Sequence, residues 1–246
     1  MNAVGIIPAR YQSTRLPGKL LLCETGRPLI QHVWERAAGA PSLDQVIIAT
    51  DDERIRDAAA GFGAEVRMTS PAHPTGTDRI AEVAADLDHD IVVNIQGDEP
   101  EIEPDAIDAA VRALVEAPQA VIATLACPTK DPDRAADPNA VKVVCGTDGR
   151  ALYFSRAPIP HHREPDRGAV FLIHVGLYAY RREFLLELAH LPQTPLEQAE
   201  KLEQLRTLEH GRIIQVAETA HPAVGVDTPA DYREFVRRYQ QKGPTQ

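Results

Sequence analysis

The chain has 246 residues, 43% of them hydrophobic, with 36 acidic against 26 basic residues and a formal charge of −10. That is enough apolar material for one large α/β domain or two small ones, and an acidic balance without a Lys/Arg block argues against nucleic acid as the main partner. The longest apolar run, AVIATLAC at 120–127, is far too short to cross a bilayer, and no basic segment precedes a long apolar one at the N-terminus, so the chain reads as soluble and cytoplasmic with no membrane partner.

Val/Ile-rich runs alternate with helical patterns along the chain. Strands are predicted at AVGIIP, QVIIAT, AEVRM, DIVVNIQ, AVIATLA, AVKVVC, VFLIHVGLYAY and IIQVAE. Between several of them, sets such as Leu29/Val33/Ala37 and Ile107/Val111/Leu114 place apolar groups on one helical face. This alternation argues for a doubly wound, mainly parallel sheet. Helix starts are expected after Asp52, after Thr77, and at Thr228-Pro229-Ala230-Asp231, which has the form of a capping box.

Beyond residue 127 the alternation weakens. PHHREPDRGA at 160–169 reads as a mobile surface loop, and 150–160 and 170–180 read as longer strands. A leucine pattern at 196, 202, 205 and 208 fits a lobe or an oligomer surface. The expected organisation is one domain over 1–246, with a nucleotide-binding part at 1–130, a lobe at about 131–212, and a return to the main sheet at 213–246. Cys23, Cys127 and Cys145, with no CxxC, read as buried or free thiols in a reducing compartment.

Three constellations carry chemistry. IIPARYQSTRLPGK places Arg10, Arg15 and Lys19 at the exit of the first strand, with a Pro-Gly pair before the lysine. Ligands of open α/β sheets bind beyond strand carboxyl ends, and this cation set fits an anion such as a polyphosphate, although neither a Walker loop nor GxGxxG is present. VNIQGDEP delivers Gln96, Gly97, Asp98 and Glu99 to another strand exit. Carboxylates there suit Mg2+, and the same residues are equally good turn formers. Asp227 precedes the capped helix at 228; its spacing alone favours a role at the helix dipole over a second metal carboxylate. The adjacent His161 and His162 lack helical metal spacing, and His174, inside an apolar strand, reads as a core histidine.

These stretches, with ATDDERI, TGTDRIAEV, NAVKVV, ALYFSRAPIP, HVGLYAY and PLEQAEKLEQLR, together resemble the 3-deoxy-manno-octulosonate cytidylyltransferase family over residues 4 to about 236. The resemblance implies a nucleotidyltransferase fold, a homodimer built through the lobe, and Mg2+-dependent transfer of CMP from CTP to 3-deoxy-manno-octulosonate (Kdo), releasing pyrophosphate. CMP-Kdo feeds lipopolysaccharide synthesis. The resemblance makes Arg10 and Lys19 triphosphate contacts and Asp98 and Asp227 metal carboxylates, so it reverses the reading of Asp227 from spacing. It implies nucleotide contacts at Pro8, Ala9, Ser13, Arg15 and Gly76. It places Arg79, Gln96, Arg156, His174, Tyr178, Glu203 and Gln204 on the sugar acid, with Arg156 as partner of its carboxylate. The loop at 161–169 departs from the family pattern in being shorter and more polar. Transfer to a nonulosonic acid and non-catalytic nucleotide sensing stand as the alternative functions.

Overall fold

In AVGIIPA the side chains alternate between faces, and both faces are covered. Val4 and Ile6 belong to one apolar cluster and Ile7 to another, all without solvent exposure. A strand buried on both sides needs a helical layer above and below it. The computed structural model, which describes residues 1–13, 15–164, 168–222 and 224–242, has that architecture.

The central sheet follows the order β3 (Glu65–Met68), β2 (Gln45–Thr50), β1 (Ala3–Ala9), β4 (Ile91–Asn94), β8 (Phe171–Arg181), β5 (Ile122–Thr129), β9 (Ile214–Glu218). All run in one direction except β8, which is antiparallel to β4 and β5. A hairpin of β6 (Lys142–Cys145) and β7 (Ala151–Ser155) leans on β8 through β6. On one face α1 (Leu29–Ala38), α2 (Glu53–Gly61), α4 (Pro104–Glu116) and α9 (Pro229–Lys242) pack into one core. On the other, α3 (Gly76–Ala85), α6 (Arg182–Leu188) and α8 (Gln204–Glu209) enclose the second.

Strand order reverses between β1 and β4. β1 continues through α1 to β2 on one side of it, whereas β3 returns through α3, on the opposite face, to β4 on the other side, so a crevice opens at the carboxyl ends of β1 and β4. Arg10 follows β1 and Gln96–Asp98 follow β4, which brings two of the sequence constellations to the same edge.

Several local expectations change. The cap of α3 is Thr75, not Thr77: the Thr75 hydroxyl accepts from the Asp78 amide while the Asp78 carboxylate accepts from the Thr75 amide. Thr77 is thereby freed for tertiary bonding. The strand expected at 150–160 ends at Ser155, because Pro158 and Pro160 have no amide proton for a ladder. The leucine segment is broken into α7 (Pro195–Glu200) and α8 by Lys201, whose φ is 54°. Leu202 and Leu205 then reach the core while Leu196 stays exposed. All three cysteines are free, but Cys23 is exposed and the other two are half-buried. Residues 165–167 of the expected mobile loop lie outside the described residues.

Candidate active site

Two glycines shape the crevice. Gly18 adopts φ 69°, a left-handed turn that sends Lys19 back under the loop it ends. A Cβ on Gly97 would lie 3.1 Å from the Pro8 carbonyl oxygen, so a larger residue there would press the β4 exit against the β1 exit.

Lys19 lies at the centre. Its Nζ donates to Asp98 Oδ2 at 2.6 Å, to Asp227 Oδ1 at 2.9 Å and to the Val226 carbonyl at 2.9 Å. Arg15 reaches the other oxygen of Asp227 at 2.9 Å. Three distant stretches therefore meet around one ammonium. Burial works to lower the Lys19 pKa, but Asp98 and then Asp227 outweigh it, so the net direction is upward and the ammonium stays charged. Asp227 also stands at the α9 terminus, where the Thr228–Asp231 capping box forms as expected. Next to Asp98, the Glu99 carboxyl is pushed up to about 8 by burial and by its acidic neighbour.

Arg10 donates to the carbonyls of His73 at 2.8 Å and Pro74 at 3.2 Å, which ties the first loop to the segment before α3. Burial and the nearby Arg79 lower its pKa. With Ser13, Arg15, Lys19, Gly76, Gln96, Asp98 and Asp227 it lines a cleft of about 580 Å³. Pro8 lines the same cleft, whereas Ala9 is fully buried and does not line it.

Pro8, Thr75, Gly76 and Gln96 also line a second, smaller compartment of about 210 Å³, which the first adjoins through these shared residues. Tyr178, Tyr180, Glu203, Gln204 and Thr77 complete much of its wall. Tyr178 is there because β8 pairs it with Asn94 at the end of β4. Burial raises the Tyr178 and Glu203 pKa values. His174 stands beside this wall, its ring 5.3 Å from that of Tyr178, and its Nε2 lies 3.0 Å from the Thr124 hydroxyl. That hydroxyl has one proton and two carbonyl acceptors, Leu177 at 2.8 Å and Val175 at 3.1 Å. The contact is therefore best made by Nε2–H donating to Thr124. Burial pushes the imidazole pKa down to about 3, so the ring is neutral.

Two expected sugar contacts are elsewhere. Arg79 is fully buried; its guanidinium bonds the Thr69 hydroxyl and sits 3.2 Å from Asp51, which pins the ends of β3 and β2 together. Arg156 is committed to backbone carbonyls, Glu200 at 2.8 Å and Pro138 at 2.9 Å, and lies outside both compartments' walls. The FSR motif has no local signal for this outcome, because the acceptors come from turns that only the fold brings near. Thr77, Tyr180 and the Val226 carbonyl are additions to the site that sequence reasoning missed; the TGT stretch offered the one signal, for Thr77.

The donor set at Lys19 suits a divalent ion. Asp98 and Asp227 present oxygens to one common point, now neutralised by Lys19 and Arg15. Mg2+ takes one or two carboxylates and completes its octahedron with phosphate oxygens and water, so the set fits. Among the described residues no group of three or more His, Cys, Asp or Glu side chains forms a self-contained metal cage, and a nucleotide would have to supply the remaining oxygens.

Residues 4–214 match the cytidylyltransferase family. The 3-deoxy-manno-octulosonate cytidylyltransferase of Solibacter usitatus is 52% identical, with 96% of this chain and 94% of that protein covered. The structure of CMP:2-keto-3-deoxy-manno-octonic acid synthetase complexed with CTP superposes with a TM-score of 0.94 at 44% identity, covering 98% of this chain and all of that one. The 4-diphosphocytidyl-2C-methyl-D-erythritol synthase of Anaerococcus prevotii shares the fold at a TM-score of 0.63 and 14% identity, covering 98% of each chain. No described helix is long and apolar enough to cross a membrane. From the cleft at the β1–β4 switch and from these likenesses together, the chain belongs to the cytidylyltransferase family, among the 3-deoxy-manno-octulosonate cytidylyltransferases.

Proposed function

We infer that this chain transfers the cytidylyl group of CTP to Kdo, giving CMP-Kdo and pyrophosphate for lipopolysaccharide synthesis. The observation that carries this reading is the convergence of Lys19, Asp98 and Asp227, from three distant parts of the chain, in a cleft also lined by Arg10 and adjoining a hydroxyl-rich pocket without a lysine or arginine.

In the reaction the anomeric oxygen of Kdo forms a bond to the α-phosphorus, the bond from that phosphorus to the pyrophosphate oxygen breaks so that pyrophosphate leaves, and the hydroxyl proton passes to solvent water. Catalysis of this kind is positioning plus charge neutralisation. Arg10, held by the His73 and Pro74 carbonyls, and Lys19 oppose the charge that grows on the phosphate oxygens. Arg15, exposed at the cleft mouth, is placed to follow the triphosphate. Asp98 and Asp227 would hold Mg2+, which when bound lowers the pKa of a coordinated hydroxyl and polarises phosphate. Lys19 then exchanges its carboxylate partners for phosphate oxygens as nucleotide and metal enter.

Gln96, Tyr178, Glu203 and Gln204 bind the sugar acid in the smaller compartment, with the neutral His174 supporting Tyr178 from behind. Arg156 has no place in this scheme. The segment at about 131–212 serves as the sugar-acid and dimer lobe of a cytoplasmic homodimer. The test is pyrophosphate release from each of four nucleoside triphosphates against a panel of sugar acids, with and without Mg2+. Turnover is expected for CTP with Kdo and only with the metal. Silence with Kdo alongside turnover of a nonulosonic acid overturns the substrate, and CTP binding without consumption by any acceptor overturns the enzyme.

A further inference from the structure

Glu203 is a carboxyl group in an unfavourable place. Burial raises its pKa, and Asp78 and Glu197 add charge of the same sign. Arg206 is the cation nearby, but its Nε and Nη2 are occupied by both oxygens of Glu197, at 2.8 and 2.6 Å. Among the described residues, the one side-chain hydrogen bond made to the Glu203 carboxyl comes from Thr77, whose hydroxyl donates to Oε1 across 126 positions of chain.

Thr77 belongs to the opposite half of the cleft. It sits in the first turn of α3, almost wholly buried, directly after Gly76, which lines both compartments. The Tyr180 phenol is turned to Thr77 and to Asn94. The capping box formed by Thr75 and Asp78 holds this turn rigid.

We propose that Thr77 is a positioning residue for the sugar acid: its hydroxyl fixes the Glu203 carboxyl over the smaller compartment from the same helical turn that borders the nucleotide compartment. The role rests on the reading of that compartment as the Kdo site. Thr77→Val keeps the shape and removes the proton, leaving a buried carboxyl without its partner.

The experiment is steady-state kinetics of the full chain with Thr77→Val, Thr77→Ala and Thr77→Ser, with thermal unfolding of each as a control. In the valine and alanine variants the KM for Kdo is expected to rise about tenfold, the loss of one buried hydrogen bond, while the KM for CTP moves by less than about twofold. Serine restores the Kdo KM. A residue that merely supports the fold would move both constants together, or would not be rescued by serine, and either result overturns the proposal. So does an unchanged Kdo KM in a folded valine or alanine variant. If the unaltered chain fails to turn over Kdo, the site reading falls as well; if it succeeds and the variants match it, only the role of Thr77 is lost.

Discussion

On the phosphate side of the cleft, Lys19, Asp98, Asp227 and Arg15 meet at 2.6–2.9 Å, partly open to solvent. On the sugar side, Tyr178, Gln204, Thr77 and a Glu203 whose ionisation is disfavoured form a wall without a lysine or arginine. The first compartment stores opposite charges that an incoming triphosphate and metal can redistribute. The second presents fixed hydrogen-bonding groups whose desolvation cost was met during folding. Charge placed against charge in a reacting centre acts on the rate, whereas neutral, preformed contacts act on ground-state binding.

That difference is broken or sharpened by substitution. Asp98→Asn removes a metal carboxylate and a partner of Lys19 at nearly constant volume; kcat is expected to fall about 10³-fold, with a far smaller change in the Kdo KM. Pyrophosphate release at saturating CTP and Mg2+ measures it, and near-normal turnover would erase the contrast. Glu203→Gln, on the other side, is expected to raise the Kdo KM about tenfold and leave kcat within a few-fold. A kcat loss as large as that of Asp98→Asn would make the sugar side part of the charge-handling machinery.

The smallest effect lies behind the sugar wall. His174 is held neutral in the fold with its pKa pushed down to about 3, against 6.5 for a free imidazole. The folded value is the lower one, so between these limits the unfolded chain binds a proton that the folded chain refuses. This contribution to stability is complete above about pH 6.5 and declines as the pH falls, by at most about 1.4 kcal/mol per unit. Denaturant midpoints at pH 7, 6 and 5 should therefore lose one proton's worth of slope in His174→Asn. The activity profile of the parent should show no limb from this ring; an equal slope in parent and variant counts against its buried, neutral state.

Much of the fold was legible because its signals are local. Consecutive β-branched residues mark β1, β2 and β4, and Asp52 and Thr228 mark helix starts that the backbone adopts. The errors have equally physical causes. Thr77 looked like a cap because threonine before an acidic, apolar run is a cap in isolation; Thr75 competes for the same role and wins through its reciprocal bond with Asp78. The resemblance set Arg79 and Arg156 on the sugar acid, and an arginine fork on Arg156 suits a carboxylate. Each is instead consumed inside the protein, by Asp51 and Thr69 or by carbonyls at turns. Asp227 looked like a dipole partner, and it proves to sit at the helix start and beside Lys19 at once.

By itself the sequence determined the kinds of chemistry available: cations at a strand exit, carboxylates at another, a capped final helix, and apolar periods that demand a layered sheet. Only the tertiary structure decided which of those groups meet, because the distances between residues 19, 98 and 227 are set by the β1–β4 strand reversal and by the docking of α9. It also decided which polar side chains are left for a ligand, since a buried arginine or threonine must first satisfy whatever unpaired group the packing places beside it.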